Sequence, residues 1–205
     1  MGHGGAYVTE VAPEVQARRR AVVDAPWTWL RQVHGATVVT VDAPGAGAGS
    51  KADASVSSQR GPLLAVLTAD CAPIALVSPE GVIGAVHAGW RGLVAGVIER
   101  AAETARGLGA TELRAVLGPC IHPECYEFGA ADLDAVTARL GDGVRAATTD
   151  GRPALDVPHA VASALKEAGV AQFDDVDVCT ACSDDYFSWR ARNELGRQAM
   201  VVWRE

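Results

Sequence analysis

Three side chains of this sequence could together hold a metal ion, two of them where short apolar runs give way to turns and one in a turn just before a strand. They are Cys71 at the end of TADC, His87 inside VHAGWRG and His34 in QVHG. A catalytic zinc typically takes three protein ligands, His mixed with Cys or carboxylate, and keeps one tetrahedral position for water or substrate. A Cys-His-His set of that kind would bring the pKa of its water to about 7 and so supply a nucleophile. Cys71 and His87 fall at matching places on two neighbouring strand-like runs. His34 sits in a turn just before a strand, off any helical face that would bury it. Ligands this far apart carry no spacing signature, so a satisfied core histidine and an inert buried thiol stand as the alternative. The same residues also permit metal-free chemistry, with Cys71 as a thiolate nucleophile activated by His87 or His34 and Asp70 orienting the base. Such thiolates favour a helix N-terminus or a nearby cation, whereas Cys71 stands between Asp70 and Ala72-Pro73.

Copper chemistry meets a donor shortage. A blue centre with a trinuclear cluster uses on the order of ten histidines, and the chain has 5. A single copper at the zinc ligands is compatible with the donor set, since copper outcompetes zinc at nitrogen and sulfur sites. A second polar region, CTACSDDYFSWRARNELGRQ, places Ser188, Arg190, Arg192 and Arg197 around Phe187 and Trp189. That composition suits a pocket that stacks a flat ring and neutralises an anion, or equally a solvated loop with an aromatic anchor. Arg91, four residues after His87, is tied by chain position to the metal-ligand turn.

The elements that must position these residues follow from periodicity. ATVVTVD reads as a strand, and the Gly- and Ala-rich DAPGAGAGSKADAS (42–55) reads as a mobile surface loop. PLLAVLTAD, PIALVS and VIGAVH are short apolar, β-branched runs, the last two separated by the turn signal PEG, and predict a hairpin-rich sheet. From Arg91 the period changes. Val94, Val97, Ile98, Ala101, Ala102 and Ala105 recur at helical steps opposite Glu99, Arg100, Glu103 and Arg106, predicting one helix that ends near Gly107. LRAVLG reads as a strand, ADLDAVTARLG and VPHAVASALKEAGV as helices, the latter with Pro158 near its first turn. VDVCT and AMVVW supply late strands. Helices interleaved with hairpins predict an α+β fold of mixed or antiparallel sheets flanked by helices.

Composition bounds the rest. With 205 residues, 49% of them hydrophobic, the chain is long enough for one substantial core. A net charge of -7 argues against nucleic acid, whose backbone is held by clustered Lys and Arg. No apolar run approaches the roughly 20 residues of a spanning helix, and MGHGGAYVTE has no signal pattern. Ala6 stands where a myristoylation motif after Met1-Gly2 needs Ser or Thr. These features predict a cytoplasmic protein with no membrane partner. The 5 cysteines are expected to be reduced. Cys179 and Cys182 form a CxxC that follows a late strand and lacks a second ligand pair at similar spacing, and Cys120 and Cys125 read as small buried hydrophobes.

In their order and approximate spacing, QVHG, TADCAP, VHAGWRG, GPCI followed by YEFG, LDV, CT followed by FSWR, and LGRQA resemble the YfiH-type family. Its members carry the labels multicopper polyphenol oxidase (laccase-like), peptidoglycan editing factor and purine nucleoside phosphorylase. The resemblance spans about residues 25 to 205. It implies a zinc held by His34, Cys71 and His87. It also implies one α+β domain over 1–205, with a variable, shortened segment over 1–24 and a fold shared with bacterial cysteine-hydrolase-like toxins. The implied activities are phosphorolysis of adenosine, guanosine or methylthioadenosine, and deamination of adenosine to inosine. Zinc-activated water with Asp70 as proton shuttle would serve deamination. Arg91 and Arg190 would contact phosphate in phosphorolysis, and Ser188 and Arg197 complete the substrate-binding set. Family members usually begin with a longer segment before the stretch that VAPEVQARRR resembles, which bears on substrate range and turnover. Two further functions fit the same site: a hydrolase editing nucleotide-linked muropeptides, and a non-enzymatic protein whose zinc is structural. An open fourth ligand position favours an enzyme over the last. Either a monomer or a homodimer is compatible with these features.

Overall fold

The computed structural model describes residues 12–170 and 172–205. Met1, Gly2, His3 and Ala6 lie outside the described residues. An outer helix α1 (Pro13–Val22), none of whose residues is buried, leads into β1 (Trp27–Trp29) and β2 (Val38–Thr40). Then follow β3 (Ala54–Ser57), β4 (Leu63–Thr68), β5 (Ala72–Val77) and β6 (Ile83–Ala88), with α2 (Trp90–Ala95), α3 (Val97–Gly107) and β7 (Arg114–Leu117) behind them. The second half comprises α4 (Ala130–Leu140), β8 (Arg145–Ala147), β9 (Pro153–Leu155), α5 (Val157–Glu167), β10 (Gln172–Asp175), α6 (Trp189–Arg192) and β11 (Gln198–Trp203).

The strands form a six-stranded sheet ordered β10-β7-β5-β6-β3-β2, a three-stranded sheet ordered β1-β4-β11, and the β8-β9 ribbon. Parallel and antiparallel pairs mix in the first two, so the fold is α+β. Helices α3 and α5 cover one face of the large sheet, and the small sheet packs on the other through β4 and β11. A strand sandwiched in this way must be apolar on both sides, which is why β6 reads as a continuous run instead of alternating. Its Val86 and Ala88 join the helix-side core, while Ile83 and Ala85 pack with Leu64, Val66 and Val202 of the small sheet. Side chains along a strand alternate, so His87 shares the face of Ile83 and Ala85.

Four expectations from periodicity are revised. The predicted helix from Arg91 to Gly107 is two helices, because Gly96 adopts φ +81° and ends α2 before α3 begins. VDVCT is not a strand. Ladder pairing runs one step earlier, with β10 parallel to β7, and ends before Asp177, which has φ +55°. PLLAVLTAD and PIALVS, expected in one hairpin-rich sheet, lie in different sheets as β4 and β5, and the chain switches sheets through Asp70 at φ +88°. Only part of the 42–55 segment is a surface loop. Asp53 and the strand residues after it are fully buried. The PEG hairpin is present, with β5 and β6 antiparallel and Pro73 opposite His87.

Candidate metal centre and its cavity

Cys71 directly precedes β5 and His87 lies next to the end of β6, so the antiparallel register that sets Ala72 against Ala88 and Pro73 against His87 places both at one end of the hairpin. His34 arrives from a different part of the chain, in a loop that takes φ +58° at His34 itself. Its Nε2 is 3.8 Å from Cys71 Sγ, and its ring meets that of His87 edge-on with centroids 4.9 Å apart. Possible ligand atoms of His34, Cys71 and His87 all lie within 4.8 Å of one another. A sulfur and a nitrogen bound to one tetrahedral zinc lie about 3.6 Å apart, so the trio fits such an ion with little adjustment. Gly89 leaves the room for this approach: a Cβ there would stand 2.6 Å from His34 Cδ2 and 3.3 Å from Cys71 Sγ.

The residue that assembles the trio is Asp53. Its carboxylate, with no solvent exposure, accepts hydrogen bonds from the backbone N–H groups of Val33 (3.1 Å), His34 (2.9 Å) and Gly35 (2.7 Å). It also accepts from His87 Nδ1 at 2.9 Å. One side chain thus holds the His34 loop in its left-handed turn and sets the His87 ring. A carboxylate can only accept, so Nδ1 of His87 carries the proton and Nε2 is free to act as a ligand. Carboxylate-histidine-metal arrangements use this orientation. Burial alone would push the Asp53 carboxyl up, but the His87 hydrogen bond, the Gly35 amide, the His87 charge and the Val33 amide outweigh it and hold it below the ordinary value.

Electrostatics inside the trio oppose burial in the same way. Burial would raise the Cys71 thiol, yet the charge of His87 and hydrogen bonds with His34 and His87 bring it down to about 6. Burial would lower His87, but the Cys71 charge and the Asp53 hydrogen bond lift it to about 9. Without a metal, the pair is a thiolate beside an imidazolium. This is the protonation pattern in which a cation can replace the shared proton.

The trio opens onto a cavity of about 390 Å³ lined also by Gln32, Leu67, Thr68, Ala69, Trp189, Leu195 and Arg197. Gln32 is spoken for: its amide both donates to Leu67 O (2.7 Å) and accepts from Leu67 N (2.8 Å), extending the ladder of β4. The buried Thr68 hydroxyl has no partner among the described residues.

Asp70, Ser188, Arg190 and Arg91 occupy different places around this centre. Asp70 is 7% exposed. Its carboxylate accepts from Thr180 Oγ1 (2.8 Å), Ser188 Oγ (2.7 Å) and the Arg190 N–H (2.6 Å). Ser188 is buried and also caps α6 by accepting from the Ala191 N–H. Asp70 therefore ties the 188–190 turn to the turn that carries Cys71. The Arg190 guanidinium lies over the Tyr126 ring at 4.9 Å, and that of Arg91 over Trp90 at 4.2 Å, whereas Arg197 lines the cavity. Arg192, exposed to about a third, is spent on backbone carbonyls of the same turn, among them Ala181 O at 3.0 Å. Sequence reasoning named the trio but not Asp53 or Thr68. An aspartate at the end of a Gly-rich stretch has no periodic signature, and its three amide donors lie 18 to 20 residues away.

A mixed-sheet α+β fold with a Cys-His-His cluster at a sheet crossing defines the class. The model of the family described as "Multi-copper polyphenol oxidoreductase laccase" matches residues 4–205, and the chain belongs to that family. Among curated relatives, a purine nucleoside phosphorylase of Streptomyces coelicolor is 42% identical over 194 residues, covering 93% of this chain and 80% of the relative. A purine nucleoside phosphorylase of Pseudomonas aeruginosa is 33% identical over 207 residues, covering 97% and 84%. The crystal structure of the Bacillus licheniformis hypothetical protein YfiH superposes with a TM-score of 0.87 at 24% identity, covering 98% of this chain and 85% of that one, which shows a shared fold. The copper in the family description does not extend the donor set: of the described histidines, His122 and His159 are not in the trio. Among the described residues, no helix is long and apolar enough to cross a membrane.

Proposed function

We propose that this protein is a zinc-dependent purine nucleoside phosphorylase whose metal is held by His34, Cys71 and His87. The observation that carries the reading is the placement of these three ligands, within 4.8 Å of one another, on the wall of a cavity of about 390 Å³. Three protein ligands leave one tetrahedral position for substrate, whereas structural zinc is normally closed by four. Bound there, zinc would act as a Lewis acid on a substrate oxygen or on water. The names of the relatives supply the substrate class, and the same donor set accepts copper.

The chain's own residues supply recognition. Trp189 gives the cavity a flat apolar wall on which a purine can stack. The unpaired Thr68 hydroxyl is matched by a ribose hydroxyl or a ring nitrogen, either of which removes the cost of leaving it buried alone. Arg197 is the cavity arginine; its Nη1 donates to Glu194 O and Gly196 O, and its other N–H groups take the phosphate contact. Arg190 and Arg91 do not line this cavity, their guanidinium groups lying over Tyr126 and Trp90, and so are weaker phosphate candidates than Arg197. In phosphorolysis a phosphate oxygen bonds to the ribose carbon as its bond to the purine nitrogen breaks, giving sugar 1-phosphate and a purine that takes up a proton. With three donors on its two oxygens, Asp70 serves as a positioning residue for the 188–190 turn in preference to a proton shuttle. A second reading, deamination of adenosine, rests on the same metal and needs water in place of phosphate.

Product chromatography with adenosine, with and without phosphate, separates these readings when run beside Cys71→Ala and a metal analysis. Phosphate-dependent adenine that disappears in the variant is the expected result. Inosine formed without phosphate would support deamination. No product from zinc-loaded protein would overturn both and leave the muropeptide-editing or non-enzymatic roles.

A further inference from the structure

Three of the four cysteines outside the His34-Cys71-His87 trio are gathered in one place. Glu124, Cys125, Cys179 and Cys182 each offer a ligand atom, and all of these atoms lie within 4.8 Å of one another. Cys125 Sγ and Cys182 Sγ are 3.2 Å apart, close to the roughly 3.8 Å between two sulfurs on one tetrahedral zinc. From the sequence, CTAC lacked a second ligand pair. Tertiary structure supplies it from the 3₁₀ turn Pro123–Cys125, some 57 residues earlier in the chain. We propose that Cys125, Cys179 and Cys182, with the Glu124 carboxylate, form a second and structural metal site for a thiophilic divalent cation of the zinc type.

The backbone holds the cluster in two turns. Cys179 O accepts from the Ser183 N–H (3.1 Å), closing a tight turn around the CxxC, and the Cys125 N–H donates to His122 O (3.1 Å). The His122 N–H points at Cys179 Sγ at 3.4 Å, a contact that favours a sulfur bearing negative charge. Cys120, paired with Cys179 through an isolated β-bridge, is a buried core residue and is not one of the four grouped ligands. Cys182 is exposed, so an ion has an open path in. Four protein ligands would close the coordination shell, the pattern of a structural ion and unlike the open trio at Cys71. On binding, the cation displaces the thiol protons to solvent and forms metal–sulfur bonds with no change of oxidation state.

Such an ion would clamp two turns that both lead to the catalytic side. Tyr126, the residue after Cys125, carries the Arg190 guanidinium over its ring, and Thr180, the residue after Cys179, donates to Asp70. The site is independent of the Cys71 centre, and metal counting keeps the two apart. Protein purified with a phosphine reductant is expected to hold about two zinc per chain, Cys71→Ala about one, and Cys71→Ala with Cys125→Ser and Cys182→Ser close to none. Cobalt(II) loaded into Cys71→Ala should show sulfur-to-metal charge-transfer absorption of multiple thiolates, lost when Cys182, an exposed residue whose replacement spares the core, is changed to Ser. Cys71→Ala that retains no metal while all its remaining thiols titrate as free would overturn the proposal. So would unchanged cobalt absorption in the Cys182→Ser form. One zinc in both the wild-type protein and Cys71→Ala, lost with the cysteine pair, would support the second site while removing the first.

Discussion

The two histidines and Cys71 differ in what holds them, and that difference predicts how each responds to change. His87 is fixed by Asp53 on one side and a strand on the other, whereas His34 is exposed and depends on the same carboxylate through its backbone. Cys71 is the reactive member. In metal-stripped protein its thiol, held near 6, is ionised at neutral pH and becomes neutral as pH falls below that value. Alkylation of Cys71 by iodoacetamide should therefore rise through a midpoint near 6, well below the ordinary thiol value of about 8.5. Mass-resolved labelling across roughly pH 5 to 9 reads it directly, and a midpoint at the ordinary value would contradict the thiolate–imidazolium pair. Bound metal should suppress the labelling. The ligand types and their turn positions were legible in TADC, VHAGWRG and QVHG. Asp53 was not, because its role consists of four hydrogen bonds to groups that meet it only after folding.

At the level of elements, the β5-β6 hairpin is the platform, and the turn into α2 passes close against the trio. Gly89 lies between His87 and α2, and a methyl group added there meets both His34 and Cys71. Gly89→Ala should weaken zinc binding by about 10- to 100-fold, the range seen when groups supporting metal ligands are altered, and leave unfolding nearly unchanged, since the His34 side it crowds is exposed. Competition with a chromophoric chelator beside a denaturant curve tests both halves. An equal loss of stability would mean that the turn, and not the ligand geometry, had failed. Helical periodicity located α3, α4 and α5 well, because their buried faces recur every three to four residues. It merged α2 with α3, since apolar spacing continues smoothly across Gly96 and only the left-handed backbone there separates them.

Across the whole molecule, the large sheet separates a helix-side core from the face that carries His87. Ile98 is fully buried in the core between α3 and the large sheet, on the side of Val86 and Ala88, opposite the face that His87 shares with Ile83 and Ala85. Ile98→Ala should cost about 2–5 kcal/mol of stability without altering metal content. Denaturant unfolding together with metal analysis checks this, and loss of metal from the folded variant would show that the two faces are coupled. The sequence by itself determined the α+β class and the β5-β6 hairpin, because these follow from local periodicity and turn chemistry, and its motifs singled out His34, Cys71 and His87 as the candidate ligand set. Only the tertiary structure decided that β4 joins a different sheet from β5 and that Asp53 is the post to which both histidines are tied. It also decided that Glu124 and Cys125 come to meet the CxxC of Cys179 and Cys182. The physical reason is common to all three. Each depends on which turns a sheet crossing or a strand register brings together, and those partners lie tens of residues apart, where no local pattern connects them.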